Sequence, residues 1–164
     1  MGGAQWACGV WTSESQVVLH AARLVDLTRG RLHCEMLVGV QWGGGSRAAE
    51  HHREANESIC VSGPGLRVVL PSSPQRAYGL LLAAMRDPDP VISMEPKRIY
   101  RQYNEVAVND GEALPLDGCS VLRDRTDVTL AACGAPVKAS LAAADQLAGH
   151  GLSAAATPPA NLGP

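Results

Sequence analysis

Phenylalanine is absent from this chain, and Trp and Tyr supply three residues each, so aromatics make up only 4% of it. Hydrophobic residues still reach 46%, which leaves Leu, Val and Ala, with the three Trp, to build the core. No run of lysine and arginine is present. A formal net charge of -2 and a pI of about 6.2 offer no electrostatic footprint for a phosphate backbone, so no nucleic-acid partner is expected. Long apolar runs are missing too: no window approaches the roughly 18 apolar residues of a membrane span. The opening MGGAQWACGVW lacks the charged leader and apolar stretch of a targeting signal. No membrane partner is expected, and the expected setting is cytoplasmic, or the mitochondrial matrix in a eukaryote, with no transit peptide visible.

Paired cysteine motifs are also lacking. The five cysteines, at 8, 34, 60, 119 and 133, are odd in number and contain no C-x-x-C, which points to reduced thiols rather than a disulfide framework. A P-loop needs G-x-x-x-x-G-K-[ST], and GVQWGGGSR does not supply that lysine and hydroxyl at that spacing, so its glycines read as a tight turn. No G-x-S-x-G elbow marks a serine nucleophile. His51 and His52 in EHHRE are adjacent, whereas a helical zinc pair stands four residues apart on one face. Adjacent side chains diverge, so spacing alone leaves two satisfied or solvent-facing histidines.

What is present is an α/β rhythm. At 164 residues and 17.2 kDa the chain suits one domain, or one with a piece of a second. A chain of this size buries about 68–70% of the surface that it exposes when unfolded. TSESQVVLHAARLVDLTRGR reads as a helix, with Ser13 and Gln16 spaced as a capping box and Val17, Val18, Ala21, Ala22, Leu24 and Val25 on one face. EMLVGVQ, 35 to 41, reads as a buried strand ending in glycines.

LRVVLP, SSPQRAYGLLLAAMRDPDP and PVISMEP then read as strand, helix and strand. Ser73 is the cap, Pro74 sits in the first turn, and Ala77, Leu80, Leu81, Ala84 and Met85 form the buried face before DPDP ends the helix. That order makes a right-handed parallel unit. Residues 98–126 are polar, with little periodicity, and read as an interdomain linker after a first domain of residues 1–97. DVTLAAC, APVKASLAAADQLAGHG and LSAAA repeat the strand, helix and strand order in residues 127–164, too short a unit to bury its own sheet.

PGLRVVLPSSPQRAYGLLLAAMRDPDPVISMEPKRIYR closely resembles the beta subunit of the decarboxylating component of 2-oxo acid dehydrogenase complexes. The likeness continues through HAARLVDLTRGRLHCEML, GGGSRAAEHHRE and DGEALPLDGCSVLRDRTDVTLAACGA, nearly the whole chain. The fold that this implies is a partial thiamine diphosphate-binding pyrimidine-type domain with a parallel sheet. The first part of a transketolase C-terminal-like α/β domain would follow it.

The implied activity is oxidative decarboxylation of pyruvate or a branched-chain 2-oxo acid, with acyl transfer to a lipoyl carrier. The implied cofactor is thiamine diphosphate with magnesium, its diphosphate site on the alpha subunit. The implied partners are that alpha subunit, a second beta subunit and the lipoyl acyltransferase. By the same likeness His52 is a catalytic residue at the substrate and lipoyl end, Gln5 lies near the cofactor aminopyrimidine, and Asp87 and Asp89 fall in a loop that binds a structural potassium ion in some members. Helix termination alone also explains that last stretch.

The family's activating glutamate falls upstream of the matched residues, so the chain by itself is expected to be inactive. A non-catalytic, subunit-binding remnant is the alternative. Aromatic positions of the family are occupied here by Gly9, Glu14, Cys60, Ser93 and Ser120, and a basic position by Gly39. Where such sites are buried, each loss costs about 3–5 kcal/mol against a total stability of about 5–15 kcal/mol, so marginal stability is expected.

Overall fold

The structure is a computed structural model, and it describes residues 13, 15–45, 54–102 and 106–162. Strands β1 (Leu37–Trp42), β2 (Arg67–Val69) and β3 (Val91–Pro96) form one sheet in the order β1-β3-β2, and both pairings are parallel. The short helices α1 (Leu24–Leu27) and α2 (Glu57–Val61) precede β1 and β2. Helix α3 (Pro74–Ala84) carries the chain from β2 to β3. A second parallel pair, β4 (Val128–Ala131) and β5 (Ala154–Thr157), is joined by α4 (Pro136–Gly149).

Both faces of the first sheet are covered, which is why β2 and β3 read as continuous apolar runs rather than alternating ones. Val68 and Ile92 point into one cluster with Val17, Val38, Leu66, Leu70 and Met94. Val69 and Val91, their strand neighbours, point the other way, into a cluster with Leu80 and Ala84 of α3. Val68, Val69 and Val91 are fully buried, and each such side chain contributes about 1.5–3 kcal/mol.

Helix α3 begins as its sequence demands. Ser73 Oγ accepts the Arg76 N–H at 3.4 Å, and Pro74 occupies the first turn. Its buried residues are Gly79, Leu80 and Ala84. Met85, expected on that face, is instead 48% exposed, because the helix ends at Ala84 and Met85 lies past its last turn.

The first helical stretch is not continuous. Ser15–Ala21 winds as a wide π-helix, Ala22 donates to the Val17 carbonyl at 2.9 Å, and α1 starts only at Leu24. The break coincides with a close approach: a Cβ on Gly65, whose φ is +81°, would stand 2.1 Å from the Ala22 carbonyl oxygen. The Ala22 peptide therefore faces the Gly65 turn.

Between the two sheets, the chain after β3 packs against α3. Gln75 exchanges hydrogen bonds with the Val108 main chain, Gly111 donates to the Tyr78 hydroxyl at 3.1 Å, and Leu114 donates to the Gly79 carbonyl at 3.0 Å. Gly79 has to lack a side chain, since a Cβ would lie 2.7 Å from Leu114 Cγ. Leu116 joins the core cluster under α3. The second unit meets the first at Gly134 (φ +60°), where a Cβ would be 3.0 Å from Pro96 and 3.1 Å from Leu70.

Candidate functional site

In a parallel sheet, paired residues share a face. On the face toward α3, the register of β1 against β3 gives three rows: Leu37 with Val91, Gly39 with Ser93, and Gln41 with Glu95. The side chains thus pass from large and apolar, to nearly absent, to polar on approaching the carboxyl ends of the strands. A cleft of about 310 Å³ opens between Ser93 and Glu95 of β3 and the start of α3. Pro71 from the end of β2, Pro74, Ala77 and Leu81 from α3, and Ile99 form its apolar walls.

Ser93 is 2% exposed and lines the cleft. Among the described residues Glu95 is the one charged side chain in the lining, and its Oε2 accepts the Tyr100 hydroxyl at 2.7 Å. Burial, and then that hydrogen bond to Glu95, push the Tyr100 phenol well above the ordinary tyrosine value. Beside the cleft, Arg76 donates to the Ser120 hydroxyl, and its buried Nε has no hydrogen-bond partner among the described residues. Burial draws that guanidinium below its usual pKa.

On the other side of the sheet, Trp42 Nε1 donates to Glu57 Oε2 at 2.6 Å. Cys133 lies half-buried against the same core cluster. Burial and then the Glu57 charge raise its pKa, so the thiol stays protonated and is a poor nucleophile.

Asp87 and Asp89 build the turn from α3 to β3. Asp87 Oδ1 accepts the Asp89 N–H at 2.9 Å, and Asp87 Oδ2 faces Arg67 Nε at 3.2 Å. Asp89 Oδ1 stands 3.7 Å from His33 Nδ1. Both carboxylates thus face protein donors, and among the described residues no group of three His, Cys, Asp or Glu is placed to hold a metal ion. His52, His51, Gln5, Gly9 and Glu14 lie outside the described residues.

Spacing did not single out Ser93, Glu95 or Tyr100. The available signal was Ser93 and Glu95 two apart in VISMEP, hence on one strand face, with Ser93 at a family aromatic position.

An open parallel sheet with a cleft outside the carboxyl ends of its strands defines a ligand-binding α/β domain. The family described as transketolase, pyrimidine binding domain, matches residues 9–102, and the chain belongs to it. It is 43% identical over 129 residues to the pyruvate dehydrogenase E1 component subunit beta of Acholeplasma laidlawii, covering 79% of this chain and 39% of that protein. It is 35% identical over 150 residues to the 2-oxoisovalerate dehydrogenase subunit beta of Bacillus subtilis (strain 168), covering 92% of this chain and 46% of that one. The chain therefore spans less than half the length of these relatives.

Among solved structures, a split-gene transketolase in an inactive beta4 tetramer superposes with a TM-score of 0.64 at 21% identity, over 88% of this chain and 47% of that one. That likeness shows the fold. The α/β architecture with parallel sheets and the similarity to 2-oxo acid dehydrogenase beta subunits match the expectations from sequence.

Proposed function

We propose that this chain is the beta-subunit portion of a thiamine diphosphate-dependent 2-oxo acid dehydrogenase. The whole enzyme would oxidatively decarboxylate pyruvate or a branched-chain 2-oxo acid and pass the acyl group to a lipoyl carrier. The observation that carries this reading is the 43% identity, over 129 residues, to a pyruvate dehydrogenase beta subunit. When bound, thiamine diphosphate supplies the carbanion chemistry that releases carbon dioxide.

In this reading His52 hydrogen-bonds or protonates the reacting groups, a task suited to imidazole near neutral pH, and Gln5 lies near the aminopyrimidine. Among the described residues no cationic side chain lines the cleft, which suits a diphosphate and magnesium site on an alpha subunit. A structural potassium ion at the 87–89 turn would be held by Asp87 and Asp89, partly through main-chain carbonyls, with the Asp87 carboxylate also facing Arg67. The partners are the alpha subunit, a second beta subunit and the lipoyl acyltransferase. No helix among the described residues is long and apolar enough to cross a membrane, in keeping with a cytoplasmic setting. The division into residues 1–97, 98–126 and 127–164 belongs to the same reading.

Native mass spectrometry of the endogenous protein tests it. A beta chain of roughly twice this mass, a typical two-domain size, bound to an alpha subunit is the expected result. A free chain of 17.2 kDa without a partner would overturn the enzyme reading in favour of a non-catalytic remnant.

A further inference from the structure

A second cavity, of about 480 Å³, opens at the amino ends of the strands, at the other end of the sheet from the cleft. Two of its walls are the turns that lead into the sheet: Gly65 and Asp89 stand two residues before Arg67 and Val91, the first paired residues of β2 and β3. The third wall is the segment 22–26, where the broken helix resumes as α1. The volume falls within the range of small-molecule sites, about 300–1,000 Å³.

The backbone explains why the cavity exists. Ala22 donates to the Val17 carbonyl, five residues back, so the chain leaves regular helical winding just before Arg23. Wide-wound turns of this kind recur at functional sites. Gly65, at φ +81°, has no Cβ to hold its turn away from the Ala22 carbonyl. Break and turn together gather Arg23, Asp26 and Asp89 around an apolar patch of Ala22, Val25 and Pro64.

The three charged side chains set the chemistry. Arg23 and Asp26 are exposed and three residues apart, a spacing that makes them neighbours on a helical surface. Asp89 Oδ1 stands 3.7 Å from His33 Nδ1, beyond hydrogen-bond reach, so that contact leaves it open to a donor in the cavity. A guanidinium takes a carboxylate in paired hydrogen bonds, and aspartates take an ammonium in charge-assisted ones. A ligand of one sign alone meets a like charge here: a cation faces Arg23, and an anion faces the two aspartates.

We propose that this cavity binds a free α-amino acid. Its carboxylate pairs with Arg23, its ammonium with Asp26 and Asp89, and its side chain lies on Val25 and Pro64. The bound molecule ties α1 to the turns that open β2 and β3. This site is separate from the cleft and does not depend on the dehydrogenase reading.

L-Norleucine is the probe, with hexanoate as the analogue lacking its ammonium and pentylamine as the analogue lacking its carboxylate. Each is titrated into the purified protein, with its partner subunit where one co-purifies, and binding is followed by ligand-observed nuclear magnetic resonance. Norleucine is expected to bind in the millimolar range, and each analogue about tenfold more weakly or worse. Arg23→Gln should bring norleucine down to the level of pentylamine, and Asp26→Asn should bring it toward that of hexanoate. Both changes fall at exposed positions and spare the core. No binding of norleucine, pentylamine or hexanoate binding as tightly as norleucine, or wild-type affinity for norleucine in both variants would overturn the proposal.

Discussion

The side-chain oxygen of Asn161 accepts the main-chain N–H of Val68 at 2.9 Å, 93 positions earlier in the chain. Leu162 completes the pairing by donating its N–H to the Val68 carbonyl, also at 2.9 Å. Val68 lies on β2, an edge strand of the first sheet, and the segment from Pro158 onward covers that edge. An uncovered edge strand presents unpaired main-chain groups as a template for association. Asn161→Ala should therefore cost about 1–3 kcal/mol, the penalty for stranding a buried donor. Urea unfolding followed by tryptophan fluorescence measures it, and Asn161→Asp, which keeps the acceptor, should lose less. Wild-type stability in Asn161→Ala would mean that the segment adds nothing to the sheet.

Gly65 sets a second constraint. Its φ of +81° is in the left-handed region, and a Cβ there would press to 2.1 Å from the Ala22 carbonyl oxygen. Gly65→Ala should lose about 1–3 kcal/mol from the backbone conformation alone, and more from the clash. Gly44, where a Cβ meets nothing within 4 Å, is the control position. Chemical denaturation of both alanine variants distinguishes them, and equal losses would refute a specific role for the Ala22 contact.

The units β2-α3-β3 and β4-α4-β5 were legible because their signals are local: a serine cap, a first-turn proline and a DPDP stop for α3, and a first-turn proline for α4. The broken first helix was not, since the break lies against the Gly65 turn, far along the chain from Ala22. Residues 98–126 read as linker because Leu114 and Leu116 are isolated apolar residues in a polar stretch, yet they pack against α3 and the core beneath it. The cleft sets Ser93 and Glu95 of β3 against Pro74, Ala77 and Leu81 of α3, a juxtaposition that spacing within either segment does not show. His52 and Gln5 came from family likeness rather than from spacing.

Tyr100 should ionise late, above the ordinary tyrosine range, in the folded protein. Burial and the Glu95 hydrogen bond raise its folded pKa above the unfolded value. The folded state thus holds the phenolic proton more tightly. The resulting stability is fully present below about pH 10, the unfolded tyrosine value, and is lost as pH rises beyond it. Ultraviolet difference titration should show one late phase, absent in Tyr100→Phe and shifted to lower pH in Glu95→Gln. Unchanged titration in Glu95→Gln would leave burial as the whole cause.

His52 carries the catalytic expectation. In an assembled enzyme of alpha subunit and full-length beta chain, His52→Ala should lower kcat by roughly 10²–10⁴-fold, the usual contribution of an acid–base group. His51→Ala should leave it near wild type. Steady-state assays with pyruvate and with a branched-chain oxo acid provide the comparison, and equal effects of the two substitutions would remove the assignment to His52.

Cys60 and Ser93 stand where the resemblance places aromatic residues, and both are buried, at 5% and 2% exposure. Their surroundings differ. Cys60 belongs to a close-packed cluster with Val17, Leu66 and Val68, whereas Ser93 faces the open cleft. The chain should melt at low temperature as it stands, and the two sites should respond oppositely to a restored ring. Ser93→Phe fills existing space and should stabilise by about 1.5–3 kcal/mol. Cys60→Phe overpacks a filled site and should destabilise by about 1–3 kcal/mol. Circular dichroism melts of the two variants decide the matter: if both gain stability, the neighbours of Cys60 hold room for a ring, and if both lose it, the cleft beside Ser93 is not open to one.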